Sequence, residues 1–151
     1  MYWLIFFLIY EAMIRSEFFH HSAGPMKNMD EALNQINIWL KDWSICGYGY
    51  WMISSRESSD ILGIGGVRRM KWNDRDILNL YYRFSPKAWG KGYATELARY
   101  VIGLARQHLS NLPIVARIRP YNIPSLKVAE RSGLLRQPSL DNDEHIIYSA
   151  G

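Results

Sequence analysis

The spacing of hydrophobic and polar positions divides this chain into a succession of short segments. From residue 28 onward, Leu33, Ile36, Ile38, Leu40 and Trp43 form a roughly helical apolar face, with Asn28 or Asp30 placed to cap it. This predicts a helix through Trp43. Residues 47–53 and 61–67 are apolar and aromatic runs separated by the polar stretch 54–60, and they read as two strands. Glycines inside the second run predict either a bulge or a close backbone approach. After a turn at Trp72-Asn73-Asp74, residues 77–84 complete a meander of three strands. Leu97, Ala98, Val101, Ile102, Ala105 and Leu109 then follow a 3.6-residue period. Pro113 precedes a strand of buried type at 114–118. Pro124 sits in the first turn of a helix through Arg131 with Gly133 as its cap, and His145-Ile146-Ile147-Tyr148 reads as a last strand. The order is helix, three strands, helix, strand, helix, strand. It describes an α/β (α+β) domain: a mixed, mostly antiparallel central sheet with one crossover, flanked by helices. No repeat, low-complexity stretch or linker divides residues 1–151, which are read as a single domain.

The pattern breaks most informatively over residues 79–96. There a strand of aromatic and apolar residues stops at Pro86, Gly90-Lys91-Gly92 follows, and a helix begins at Ala94. Strand, glycine turn and helix start together make an anion cradle. Glycines let the backbone approach a ligand, and the first unpaired N–H groups of the helix point at its negative charge. A phosphate-bearing ligand is expected.

Composition narrows the field. A hydrophobic fraction of 48% and a charged fraction of 21% are those of an ordinary soluble globular protein. The formal net charge of +4 suits an anionic ligand, but it is dispersed. No Lys/Arg block, zinc-ligand set or RNA-binding aromatic signature is present, so neither a nucleic-acid partner nor a metal is expected. The single cysteine, Cys46, excludes an internal disulfide and fits a reducing cytoplasm; a buried structural thiol is favoured over a nucleophile. Residues 1–10 are apolar throughout but fall short of the ~20 residues that span a bilayer. They also lack a basic start and a small-residue cleavage site. They read as a buried helix or strand, or as a subunit contact that would make a homodimer, with no membrane role.

The motifs resemble those of the GNAT-superfamily acyltransferases. The family's CoA-binding pattern, Gln/Arg-x-x-Gly-x-Gly/Ala, is similar to Trp89-Gly90-Lys91-Gly92-Tyr93-Ala94, with tryptophan at the first position. That tryptophan resembles the branch of ribosomal-protein N-terminal acetyltransferases. A second block, Asn-x-x-Ser opening the last helix and Gly-Leu closing it, reads Asn122-Ile123-Pro124-Ser125 and Gly133-Leu134. The likeness covers roughly residues 12–150. The family's usual first strand is not visible, and residues 1–10 either replace it or mark a truncated form.

What the resemblance implies is an acetyl-CoA cosubstrate. Its pyrophosphate would lie among the N–H groups of Gly90, Lys91, Gly92, Tyr93, Ala94 and Thr95, beside Trp89. Its pantetheine arm would run along the backbone of Tyr82, Arg83 and Phe84, and Asn122 would bond to that arm. In the family a bulge in this strand opens the sheet and turns an N–H toward the thioester carbonyl. The implied reaction is N-acetylation of a primary amine, of a protein N-terminus or a small molecule, by direct attack without metal or covalent enzyme intermediate. Many relatives carry a glutamate base where this chain has Asn79, which would orient a water or the acceptor, or else be a polar residue satisfied within the sheet. By spacing, the family's acid tyrosine falls at Ala129. Ser125 is the candidate for contact with the sulfur, or else a local helix cap, and Tyr81 and Tyr82 are further donors, of which alternation turns only one to the cleft. Arg117 and Arg119 share one side of their strand and read as a solvated face. Of the four histidines, His108 is explained by a helix dipole, and His20-His21 could line the acceptor mouth. The alternative is a CoA-binding protein that has lost catalysis.

Overall fold

The structure, a computed structural model, describes residues 28–57, 60–109 and 111–150. The apolar opening and His20-His21 therefore lie outside the described residues. Asn28 starts helix α1 (Met29–Cys46), its Oδ1 accepting from the Glu31 N–H at 2.9 Å, and Gly47 ends it with φ +74°. The inward stripe of α1 is Ala32, Ile36, Trp39 and Trp43, so the expected face holds at Ile36 and Trp43 and not at Ile38 and Leu40. Ile38 and Leu40 are 46% and 58% exposed, because 100° per residue carries both positions off that stripe. Trp43 Nε1–H donates to the Tyr50 carbonyl at 2.9 Å, and Arg68 pairs with Asp42 at 2.8 Å, so α1 is tied to one face of the sheet.

The strands are β1 (Tyr50–Ser54), β2 (Ile61–Trp72), β3 (Arg75–Phe84), β4 (Ile114–Ile118), β5 (Leu135–Arg136) and β6 (Ile146–Ala150), in the order β1-β2-β3-β4-β6-β5. Asn73 and Asp74, with φ of 48° and 60°, make the two-residue turn between β2 and β3. The crossover from β3 to the parallel β4 passes through helix α2 (Tyr93–His108), and helix α3 (Ile123–Arg131) follows β4. The two-residue β5 at the sheet edge is too short to leave a periodic signal.

Alternation along β3 and β4 sorts the core into two layers. Leu78, Leu80, Ile114, Ala116 and Ile118 face Ala98, Val101, Ile102 and Ala105 of α2, whereas Ile77, Val115 and Ile147 pack on the other side. Close approach is the role of Gly65: a Cβ there would lie 2.7 Å from the Leu97 Cδ2 of α2 and from the Tyr81 carbonyl.

One irregularity positions everything that follows. β3 and β4 pair only at Leu78↔Ile114 and Asn79↔Val115, then part. The expected bulge is not the cause. The β2–β3 ladder runs from Trp72↔Arg75 to Gly63↔Phe84 without a register shift, and the one shift among the described residues lies between Ile53 and Ser54. β3 stays with β2 over its whole length, while β4 pairs throughout with β6. The two halves of the sheet therefore keep their own ladders and diverge beyond their two shared pairs.

Candidate functional site

The groove begins where β3 ends. The Leu78 N–H bonds across to the Pro113 carbonyl at 2.9 Å, and the Ser85 N–H bonds back to Leu62 at 2.8 Å. Period-two alternation then turns the backbone of Leu80, Tyr82 and Phe84 toward the opening and that of Tyr81 and Arg83 toward β2. Of the three residues expected to form the rail, Arg83 thus turns its main chain to β2 and away from the opening. Trp89, the residue that departs from the family pattern, donates its indole N–H to the Phe84 carbonyl at 3.0 Å and ties the glycine turn to the strand end.

Gly90 and Gly92 adopt φ of +71° and +82°, a conformation that side chains with a Cβ resist. Gly92 is the N-cap of α2, and no side chain caps that helix. Its first helical bond runs from the Glu96 N–H to the Gly92 carbonyl at 3.0 Å, so the N–H groups of Tyr93, Ala94 and Thr95 precede the ladder. These residues, with Gly90, Gly92, Trp89, Tyr82, Arg83 and Phe84, line a cleft of about 630 Å³ whose far wall includes Asn122 and Ser125. Lys91 is exposed and is not part of that wall. Arg99 of α2 donates twice to the Arg131 carbonyl, at 3.0 and 2.8 Å, and holds the end of α3 beside α2.

At the start of α3, the Asn122 Oδ1 accepts from the Ser125 N–H at 3.2 Å. Asn122 therefore supplies the cap, and the Ser125 side chain is left as a neighbour of the Tyr82 phenol, near enough to oppose the rise of its pKa. Burial pushes the Tyr82 phenol up to about 12, partly opposed by that neighbour. Two residues read separately in the sequence, Ser125 as a contact for the sulfur and Tyr82 as a further donor, are thus neighbours in the structure.

Asn79 is not with them. Its Nδ2 donates to the Tyr50 hydroxyl at 3.0 Å on the opposite face, where the rings of Tyr50 and Tyr81 lie 5.1 Å apart and Trp39 stands edge-on to Tyr50. Alternation separates Tyr81 from Tyr82 in the same way, and the Arg83 guanidinium lies 5.5 Å over the Tyr81 ring. Burial lowers the Arg83 pKa and raises that of Tyr81.

The parted strands enclose a second cleft of about 290 Å³. It shares Tyr82, Arg83, Asn122, Ser125 and Val128 with the first, so these residues stand between the two clefts. Its remaining wall includes Tyr81, Arg117, Arg119, Ala129 and His145. Arg117 and Arg119 are therefore cleft residues, not a solvated face. His145 went unrecognised in the sequence. Its available signal was register: the Ile118↔Ile146 pair sets it beside Arg119. Burial, then Arg119 and Arg117, lower its pKa, against a weaker opposing effect of Glu144. His108 sits in the last turn of α2, and Cys46 is half-buried, not buried as expected; neither lines either of these two clefts.

The sequence matches the acetyltransferase (GNAT) domain family over residues 8–135. Among curated proteins it is 29% identical to the uncharacterized protein YkkB of Bacillus subtilis (strain 168) over 90 residues, 58% of this chain and 52% of that protein. It is 25% identical to the uncharacterized N-acetyltransferase p20 of Bacillus licheniformis over 118 residues, 74% of this chain and 65% of that protein. The aligned part thus spans between half and two thirds of the length of these relatives. Among solved structures, an acetyltransferase from Agrobacterium tumefaciens str. C58 superposes with a TM-score of 0.80 at 23% identity, covering 97% of this chain and 84% of that one. The aminoglycoside acetyltransferase AAC(6')-Ib, in complex with coenzyme A and kanamycin, superposes with a TM-score of 0.70 at 16% identity, covering 95% and 87%. At these identities the structural likeness is one of fold.

Proposed function

The chain belongs to the GNAT acetyltransferase family, and from that premise we propose that it transfers an acetyl group from acetyl-CoA directly to a primary amine, of a protein N-terminus or a small molecule. The observation that carries this reading is the meeting of two clefts at Tyr82 and Ser125 through the parted strands. The residues fit the cosubstrate. An uncapped helix start behind two left-handed glycines suits a pyrophosphate, and the unpaired edge of β3 suits a peptide-like arm. Asn122, whose Oδ1 serves the cap, stands in the wall beside the path of that arm.

Acetyl-CoA supplies an activated acyl carbon as its thioester. A groove-facing N–H of β3 donates to the carbonyl oxygen as charge builds there, a contribution of about 3–4 kcal/mol in comparable sites. Tyr82 and Ser125 face the departing sulfur. A free thiol has a pKa of about 8.5, well below a phenol raised to about 12. Tyr82 therefore donates a hydrogen bond to the thiolate and keeps its proton. Protein N-termini, with pKa near 8, are already partly neutral, so a mild base suffices. His145, held neutral by burial and two arginines, takes that proton in the acceptor cleft. Asn79, bonded to Tyr50, orders the aromatic floor beside the cleft.

Calorimetric titration with acetyl-CoA, followed by thiol release across a panel of amines, tests the reading. Absence of binding at millimolar ligand overturns it. Ala129, which leaves the usual acid position without a hydroxyl, favours the alternative of a CoA-binding protein without turnover. Binding with no release for every acceptor supports that alternative.

A further inference from the structure

The acceptor cleft carries a charge pattern that selects among amines. Its described wall contains Arg83, Arg117 and Arg119 and no aspartate or glutamate. Arg119 reaches one acid, Glu144 at 3.3 Å, and that carboxylate stands outside the wall with its side chain 70% exposed. The Arg117 Nε is buried and has no hydrogen-bond partner, while its Nη2 meets only the Met70 sulfur at 3.9 Å. A buried guanidinium N–H without an acceptor costs free energy until one meets it, and an anion meets it best. The imidazole beside these arginines adds no compensating negative charge, and their field further disfavours its protonation. A polycationic acceptor would meet repulsion in this cleft. An amine with an acidic group beside it would complete the open donor.

Resting on the acetyltransferase reading above, we propose that the acceptor is an amine bearing a neighbouring carboxylate or phosphate, and that Arg117 and Arg119 bind that oxyanion. The amine then points toward the seam where Tyr82 and Ser125 lie, and the acid stays on the β4 side. A free amino acid, a small amino phosphate and the acidic start of a peptide all carry this chemistry.

The test is thiol release with matched acceptor pairs that differ only in the acid. The pairs are glutamate against glutamine amide, phosphoethanolamine against ethanolamine, and amidated peptides beginning Ser-Glu-Glu against Ser-Gln-Gln, with kanamycin as the polycation. The acidic member of at least one pair should have the higher kcat/KM by about tenfold or more, the scale of one charge-assisted hydrogen bond. The pair that responds identifies the source. In Arg117→Gln the ratio should fall toward one, chiefly through KM of the acidic member, and Arg117→Lys should restore part of it. Arg119→Gln gives a second reading should Arg117→Gln fail to fold, as judged by acetyl-CoA titration. Release without acid preference, or with preference for kanamycin, overturns the inference and leaves the transferase reading standing. No release from any acceptor overturns both.

Discussion

A hydroxyl pair at the junction of two clefts has consequences that can be measured one residue at a time. If Tyr82 donates a hydrogen bond without giving up its proton, Tyr82→Phe should lower kcat by about tenfold, the scale of one bond to a charged group, with little change in acetyl-CoA affinity. Ser125→Ala should act through the same bond, so the double variant should lose less than the product of the single effects. Full additivity in that cycle would separate the two residues. His145 makes a prediction in pH. Its pKa is lowered below 6.5 by burial, Arg119 and Arg117, so the imidazole is neutral above that range and becomes charged as pH falls through it. Turnover should decline on the acid side with that protonation, and His145→Asn should flatten this limb of the kcat/KM profile. The linkage has the same sign for stability. The unfolded chain binds the proton at higher pH than the folded one, so this residue's contribution falls as pH drops through 6.5 and below.

At the scale of elements, the start of α2 is the sharpest case. Nothing lies within 4 Å of a Cβ built at Gly92, so the cost of a side chain there is conformational. Gly92→Val should lose about 1–3 kcal/mol from the φ of +82° alone and also block the cradle. Thermal unfolding should show a lowered midpoint, and calorimetry should show no acetyl-CoA binding; retained affinity in the folded variant would refute the cradle's register. Elements with local punctuation were legible in the sequence. Pro86, Gly92 and Pro124 bound the third strand and the second and third helices, and the motif residues placed on them line the first cleft, apart from exposed Lys91. What was not legible is non-local. The expected face of α1 holds at Ile36 and Trp43 but fails at Ile38 and Leu40, which look more apolar than Trp39, the residue that turns inward in their place. The separation of β3 from β4 leaves no bulge residue to recognise. His145 acquires its role only through pairing with a strand some 30 residues earlier.

For the molecule as a whole, the opening between β3 and β4 divides one sheet into two nearly independent ladders, β1-β2-β3 and β4-β6-β5. They share two register pairs, the α2 packing and the Arg99 clasp on Arg131. A cosubstrate lying in the groove would bond to the free edge of β3 and to the α2 and α3 starts together. At a hundred times its Kd it should stabilise the fold by about 2.7 kcal/mol, a rise in Tm of roughly 5–10 °C for a chain of this size. The groove-facing amides of Leu80, Tyr82 and Phe84 should show the accompanying slowing of hydrogen exchange, more than their neighbours Tyr81 and Arg83, which already face β2. The missing stretch of strand pairing thus gives the protein a ligand-completed sheet. A ligand in the groove would stiffen the seam between the two ladders, which without it rests on two shared pairs, the α2 packing and the Arg99 clasp.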